Sequence, residues 1–239
     1  MADIKHIVTY ILFVKEIGPQ MSVIAILGAG QGMGHAIGKL FGKEGYKVAL
    51  LSRDAAKLAS LVADLTALGI DAAAFRADVT DVDSIKSGLA AVKAHFGAID
   101  VLEYSPSNAT LPQAPASRVT PDTLQPWFEF QFFGAIAAVA EVLPDMLARN
   151  SGTILVTTGA SSVRPEMGYP AFAAAGIAMG ALRNWSLALH TEVAPSGVQV
   201  GHVAIGAFIG QDAEATADAI APLYWELHTE RDALERVFR

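Results

Sequence analysis

The stretch Ser22–Gly45, SVIAILGAGQGMGHAIGKLFGKEG, sets the architecture of this chain. Its first six residues, SVIAIL (22–27), are short and almost wholly apolar, as a strand buried on both faces must be. Glycines then stand at 28, 30, 32 and 34, and GMGHAIGKLFGKEG continues as a helix ending at Gly45. A strand that turns directly into a helix through residues lacking a Cβ lets another group approach the backbone closely. The helix N-terminus at such a turn offers unpaired N–H groups and the positive end of its dipole, a setting suited to phosphate.

The alternation continues outward. KVALLS (47–52) reads as a second strand, and DAAKLASLVADLTALG (54–69) as an amphipathic helix with Asp54 as N-cap and Gly69 as its stop. DAAAFRADV (71–79) is a third strand, DVDSIKSGLAAVKAHFG (81–97) a helix, and AIDVLEY (98–104) a fourth strand. After a proline-studded loop, 105–120, a long helix is predicted from about Pro121 to Asn150, with Pro144 kinking or stopping it. GTILVTT (152–158) and GVQVGHVAI (197–205) give two more strands around a helix beginning near Pro170, and 213–230 carries a last helical pattern. Strands alternating with helices predict one α/β domain over 21–239, a doubly wound parallel sheet with helices on both faces and Rossmann-like topology.

Composition removes whole classes of function. With 239 residues and about half of them apolar, the chain can bury a large core. A net charge of −7 supplies no field for a nucleic-acid strand. The absence of cysteine excludes disulfides, thiolate catalysis and Cys-type zinc sites, and the six histidines show no metal-ligand spacing. HIVTYILFV (6–14) is too short to span a bilayer, so no membrane role is expected. Residues 1–20 read as an N-terminal extension of a soluble, cytoplasmic protein.

The spacing Gly28-x-x-x-Gly32-x-Gly34, the Ala77-Asp78-Val79 after strand three, the long helix and GTILVTT together resemble the short-chain dehydrogenase/reductase family over about residues 21–210. The resemblance implies a nicotinamide dinucleotide cofactor held by Gly28, Gln31, Gly32, Met33, Gly34, Ser52, Arg53, Asp78, Val79, Ser105, Thr157 and Gly206. Asp78 would lie near the adenine amino group and Val79 against the ring. Leu27 stands where the family usually has threonine. At the end of strand two, LLSRD places Ser52 at the position of an acid that would hold the ribose hydroxyls of NAD(H), followed by Arg53. A guanidinium without a carboxylate favours NADP(H) over NAD(H).

The reaction half departs from the family. Its asparagine, serine, tyrosine and lysine positions correspond to Gln131, Gly159, Phe172 and Gly176. Ser161 and Ser162 lie near the serine position, but no lysine follows Lys93. Phe172 has no ionisable proton. The family's Asn-Asn-Ala-Gly reads Tyr104-Ser105-Pro106-Ser107, and its Pro-Gly pair reads Ile205-Gly206. Tyr169, held at the helix start by Pro170, is the substitute candidate for proton transfer, with Arg164 as a partial replacement for the missing cation. His202 is read as a buried structural histidine, and His190 and Glu192 as facing solvent. Trp127, Phe128, Phe130, Phe132 and Phe133 resemble an aromatic binding site, but most of them are read as core or subunit contacts.

Three functions remain open. The first is an NADP(H)-dependent oxidoreductase acting on a small carbonyl or alcohol through a non-standard site. The second is an NADP(H)-binding sensor or scaffold without turnover, and the third is a non-redox lyase or isomerase using the same cleft. The resemblance also implies a homodimer or homotetramer, associating through the long helix and the helix after Pro170.

Overall fold

A computed structural model describes residues 21–211 and 213–239. The expected extension, residues 1–20, lies outside the described residues. Seven strands form one parallel sheet in the order β3-β2-β1-β4-β5-β6-β7. They are β1 (Val23–Leu27), β2 (Lys47–Ser52), β3 (Ala72–Arg76), β4 (Val101–Tyr104), β5 (Gly152–Gly159), β6 (Val198–Ile205) and β7 (Glu235–Phe238). This is the expected doubly wound, Rossmann-like sheet with one strand more than the six read from sequence. β7 is short and carries Glu235 and Arg236, so it lacks the apolar run that marked the others; pairing with β6 makes it a strand.

Each β1 residue is fully buried because alternate side chains feed two cores. Val23, Ala25 and Leu27 pack with α3 (Val82–Phe96), α4 (Pro121–Ala148) and α5 (Ala173–Val193). Ile24 and Ile26 pack on the opposite face with α1 (Met33–Lys43), α2 (Ala55–Ala67) and α7 (Pro222–Thr229). The Asp54 side chain accepts from the N–H groups of Ala56 and Lys57 at 3.1 Å, capping α2 as expected. The tail pattern splits into α6 (Ala217–Ile220) and α7 because Pro222 opens a fresh first turn.

The long helix corrects one expectation. Pro144 does not stop it; the helix runs on to Ala148. Its irregularity lies earlier, in a π-helical turn over Phe128–Phe133. α4 has the length and composition of a bilayer-crossing helix, yet Ala135, Ala138, Val139, Val142 and Met146 are buried within the fold. α5 begins at Ala173, not near Pro170. Phe172 is its N-cap, because a turn from the Tyr169 carbonyl to the Phe172 N–H and a bridge to Ala114 hold the preceding residues out of the helix.

Candidate active site

Between β1 and β4 the strand order reverses direction, the switch point at which open α/β sheets form clefts beyond their carboxyl ends. A cleft of about 680 Å³ opens there. It brings together Gly28, Gly32, Met33, Gly34, Ser105, Thr157 and Gly206 from the expected cofactor set. The expected tetrad positions Gln131, Gly159 and Phe172 and the substitute Tyr169 also face it. Gln31, Ser52, Arg53, Asp78, Val79 and Gly176 lie outside its lining.

The glycine turn is shaped by close approach. Gly28 has φ +93°, and a Cβ there would lie 2.5 Å from Pro106 Cα, in the loop after β4. The Gly28 and Ala29 N–H groups both donate to Leu51 O, at 2.9 and 3.0 Å, closing the turn against β2. At Gly30 and Gly32 a Cβ would meet open space, and no side chain caps the start of α1. That leaves room and N–H groups for a phosphate, so these residues fit a dinucleotide.

At the end of β2, Arg53 is exposed beside Ser52, and the next residue, Asp54, is occupied as the cap of α2. Burial pushes Asp78 up, but the Thr80 N–H and hydroxyl, with Arg53 and Arg76, hold its carboxyl below the usual range. Val79 is buried, and its carbonyl packs against Gly134 of α4.

The reaction end is mixed in character. Phe172 and Tyr169 are 41% and 59% exposed, with ring centroids 6.0 Å apart, and Tyr169 also packs on Phe208 at 5.3 Å. Tyr169 therefore stands at the rim, not at the head of a helix as expected. Gly176 faces Ser161: a Cβ there would lie 3.3 Å from Ser161 Oγ. Gln131 is buried in the π-helical turn, and its Nε2 donates to Thr157 O at 3.0 Å, tying α4 to β5. Arg164 is exposed and outside the cleft lining, so it does not replace a lysine there. Trp127 and Phe130 are buried yet line the cleft, whereas Phe133 is exposed. The aromatic run is thus divided between site and surface.

Two buried polar groups were not singled out as site features by sequence reasoning. Glu103, fully buried on β4, accepts from Ser105 Oγ at 2.8 Å and Thr157 Oγ1 at 3.0 Å. Thr157 Oγ1 in turn lies 2.7 Å from the Tyr224 hydroxyl. Burial pushes the Glu103 carboxyl up to about 8 despite those two hydroxyls. The signal was present as a glutamate within the apolar run VLEY. The other group is His202, buried as expected and bonded to Thr158 of β5 and Glu235 of β7. His190 turns toward β6, its Nδ1 3.1 Å from Val200 O, instead of facing solvent; Glu192 is exposed. Among the described residues no cluster of three or more His, Asp or Glu side chains is placed to hold a metal.

A seven-stranded parallel sheet, a glycine turn and a cleft at the switch point define the Rossmann-like class. A model of the short chain dehydrogenase family matches residues 22–218, and the chain belongs to that family of oxidoreductases. It is 29% identical over 183 residues to an uncharacterised oxidoreductase of Listeria monocytogenes, covering 77% of this chain and 72% of the relative. It is similar in structure to a metagenomic short-chain oxidoreductase in complex with NADP, at TM-score 0.79 and 23% identity, over 91% of this chain and 96% of that one. A Pseudomonas aeruginosa short-chain oxidoreductase, bound to NADPH and containing an atypical catalytic center, matches at TM-score 0.80 and 18% identity, over 91% and 95%. These two likenesses speak for the fold.

Proposed function

We propose that the protein is a soluble, cytoplasmic, NADP(H)-dependent oxidoreductase acting on a small carbonyl or alcohol through a non-standard proton-transfer site. The observation that carries the cofactor reading is the end of β2, where Arg53 is exposed while Asp54 is spent on capping α2. A 2′-phosphate would find the Arg53 guanidinium, which also acts on the Asp78 carboxylate, and a serine in place of the acid that would hold the ribose hydroxyls. The uncapped α1 and the glycine turn would hold the pyrophosphate, and Ser105, Thr157 and Gly206 would face the remainder of the dinucleotide. When bound, the cofactor supplies hydride exchange with a substrate carbon. Tyr169 is the rim hydroxyl available to a substrate, and the NADP-bound and NADPH-bound structures of similar fold support the choice of cofactor.

A second reading, an NADP(H)-binding sensor or scaffold, is favoured by Phe172 and Gly176 at the positions of the family's tyrosine and lysine. Melting with NADPH, NADH and their oxidised forms tests the shared premise. At a hundredfold excess over Kd, a ligand of the folded state stabilises by about 2.7 kcal/mol. For a domain of this size the rise in Tm is roughly 5–10 °C. A shift with NADPH larger than with NADH supports Arg53 as the determinant, and no shift with any nucleotide rejects both readings. Consumption of cofactor across a panel of carbonyls and alcohols then separates enzyme from binding module. By resemblance the protein is proposed to form a homodimer or homotetramer.

A further inference from the structure

The family's proton donor and its lysine are absent, yet a continuous hydrogen-bonded chain runs from the cleft toward β7 at the edge of the sheet. Thr158, 4% exposed, is among the residues of β5 that line the cleft. Its Oγ1 is 2.7 Å from Nε2 of His202, a fully buried β6 residue. His202 Nδ1 is 2.8 Å from Glu235 Oε2 on β7. Arg183 of α5 holds the same carboxylate through Nε at 2.5 Å and a second guanidinium nitrogen at 3.1 Å. The Glu235 and Arg183 side chains are partly open to solvent. Ser162 Oγ completes the set, 2.7 Å from Thr158 Oγ1.

We propose that Thr158, His202 and Glu235 form the proton relay of this site, with the Thr158 hydroxyl meeting the substrate oxygen; this rests on the oxidoreductase reading above. The Thr158 hydroxyl has one proton and two acceptors in reach, the Gly159 carbonyl oxygen at 3.2 Å and His202 Nε2 at 2.7 Å, and the shorter contact to the imidazole takes it in the relay. Glu235, paired with Arg183, accepts from His202 Nδ1–H, which leaves Nε2 as an acceptor for the Thr158 hydroxyl. Ser162 then donates to one lone pair of Thr158 Oγ1 and leaves the other for a substrate hydroxyl. This is the order hydroxyl, imidazole, carboxylate that lets a histidine take a proton and a carboxylate steady the charge.

In alcohol oxidation the substrate C–H bond would break with its electron pair passing as hydride to a bound oxidised nicotinamide dinucleotide, and the O–H bond would break to give a proton. That proton passes to Thr158 Oγ1 as the threonine's own proton passes to His202 Nε2. Carbonyl reduction runs the same transfers backward. The charged groups facing His202 are Glu235 from β7 and Arg183 from α5, and β5 contributes the neutral Thr158. Burial lowers the His202 pKa more than Glu235 raises it, so the ring is held neutral, ready to accept.

A tie that merely holds β5, β6 and β7 together would have no reason to end on the cleft. The test uses the full chain and the variants Thr158→Val, Thr158→Ser, His202→Gln and Glu235→Gln. NADPH binding, read by fluorescence, is expected to stay within about threefold of wild type in all four. Thr158→Val keeps the volume and the His202–Glu235 pair, and is expected to lower kcat about 100-fold. Thr158→Ser is expected to restore most of it, and His202→Gln to erase the pH dependence of kcat. Imidazole nitrogen-15 shifts are expected to show His202 protonated at Nδ1 in wild type and to lose that preference in Glu235→Gln. Turnover in Thr158→Val with the wild-type rate and pH profile overturns the relay alone. Cofactor binding without consumption of any substrate also overturns it and leaves the binding module standing. Failure to bind any nucleotide overturns relay and oxidoreductase reading together.

Discussion

The hydroxyl of Tyr104, at the last residue of β4, donates to the carbonyl oxygen of Phe130 at 2.5 Å. Both groups are buried, and Phe130 lies in the π-helical turn of α4, where helical hydrogen bonding is displaced. The contact is possible because Gly134 has no side chain; a Cβ there would lie 2.3 Å from Val79 O and 2.4 Å from the Tyr104 hydroxyl.

Tyr104→Phe therefore leaves a buried carbonyl without its donor. The expected loss of stability is about 1–3 kcal/mol, read from urea unfolding. Gly134→Ala is expected to cost more, because backbone atoms must move. Equal stability of both variants with wild type would show that the π-helical turn does not depend on this contact.

Cofactor choice is expected to follow the charge at the end of β2. Arg53→Ala should weaken NADPH by about 10–100-fold, the worth of a charge-assisted hydrogen bond, while leaving NADH nearly unchanged. Ser52→Asp combined with Arg53→Ala should favour NADH. Calorimetric titration with both nucleotides reads the ratio, and an unchanged ratio in Arg53→Ala would remove Arg53 from recognition.

Glu103 gives the stability a pH signature. Its carboxyl, raised by burial to about 8, keeps its proton in the folded chain over a window where the unfolded chain has lost it, above the ordinary value of 4.5. The folded state binds more protons there, so this group's stabilising contribution is full below 4.5 and is lost as pH rises through 8. The slope is about 1.4 kcal/mol per pH unit at most. Glu103→Gln is expected to remove it, so that the variant gains on wild type between pH 5 and 8.5 in urea unfolding. Parallel curves for the two proteins would place the ionisation elsewhere.

Tyr169 separates two routes for the proton. With its ring mostly exposed at the rim, Tyr169→Phe is expected to change kcat by less than about threefold if Thr158 meets the substrate oxygen. A drop of about 100-fold, the scale of lost general acid–base catalysis, would assign the proton to Tyr169 instead.

Sequence reading reached the sheet, the glycine turn and the cap at Asp54 because each rests on neighbours a few residues apart. It missed β7, since four residues containing Glu235 and Arg236 carry no strand pattern until β6 lies beside them. It expected Pro144 to kink or stop the long helix, but a proline removes one hydrogen bond, and with Val142 and Met146 packed on either side the helix does not stop there. His202 was legible as buried but not as connected, because its partners lie 44 residues before it and 33 after it. Tyr169 drew attention as the nearest tyrosine in the chain, whereas the fold sets it out at the rim.

The π-helical turn also marks where this helix can change length. A π-turn holds one residue more than an α-turn, so removing one residue from Phe128–Phe133 would turn the bulge into plain α-helix while Ala135, Ala138 and Val142 keep their side of the helix. The change would fall on the turn itself, where Phe130 and Gln131 are aimed at the cleft. Homologues with a regular helix here should therefore align with a one-residue gap in this segment and carry a differently shaped wall to the cleft.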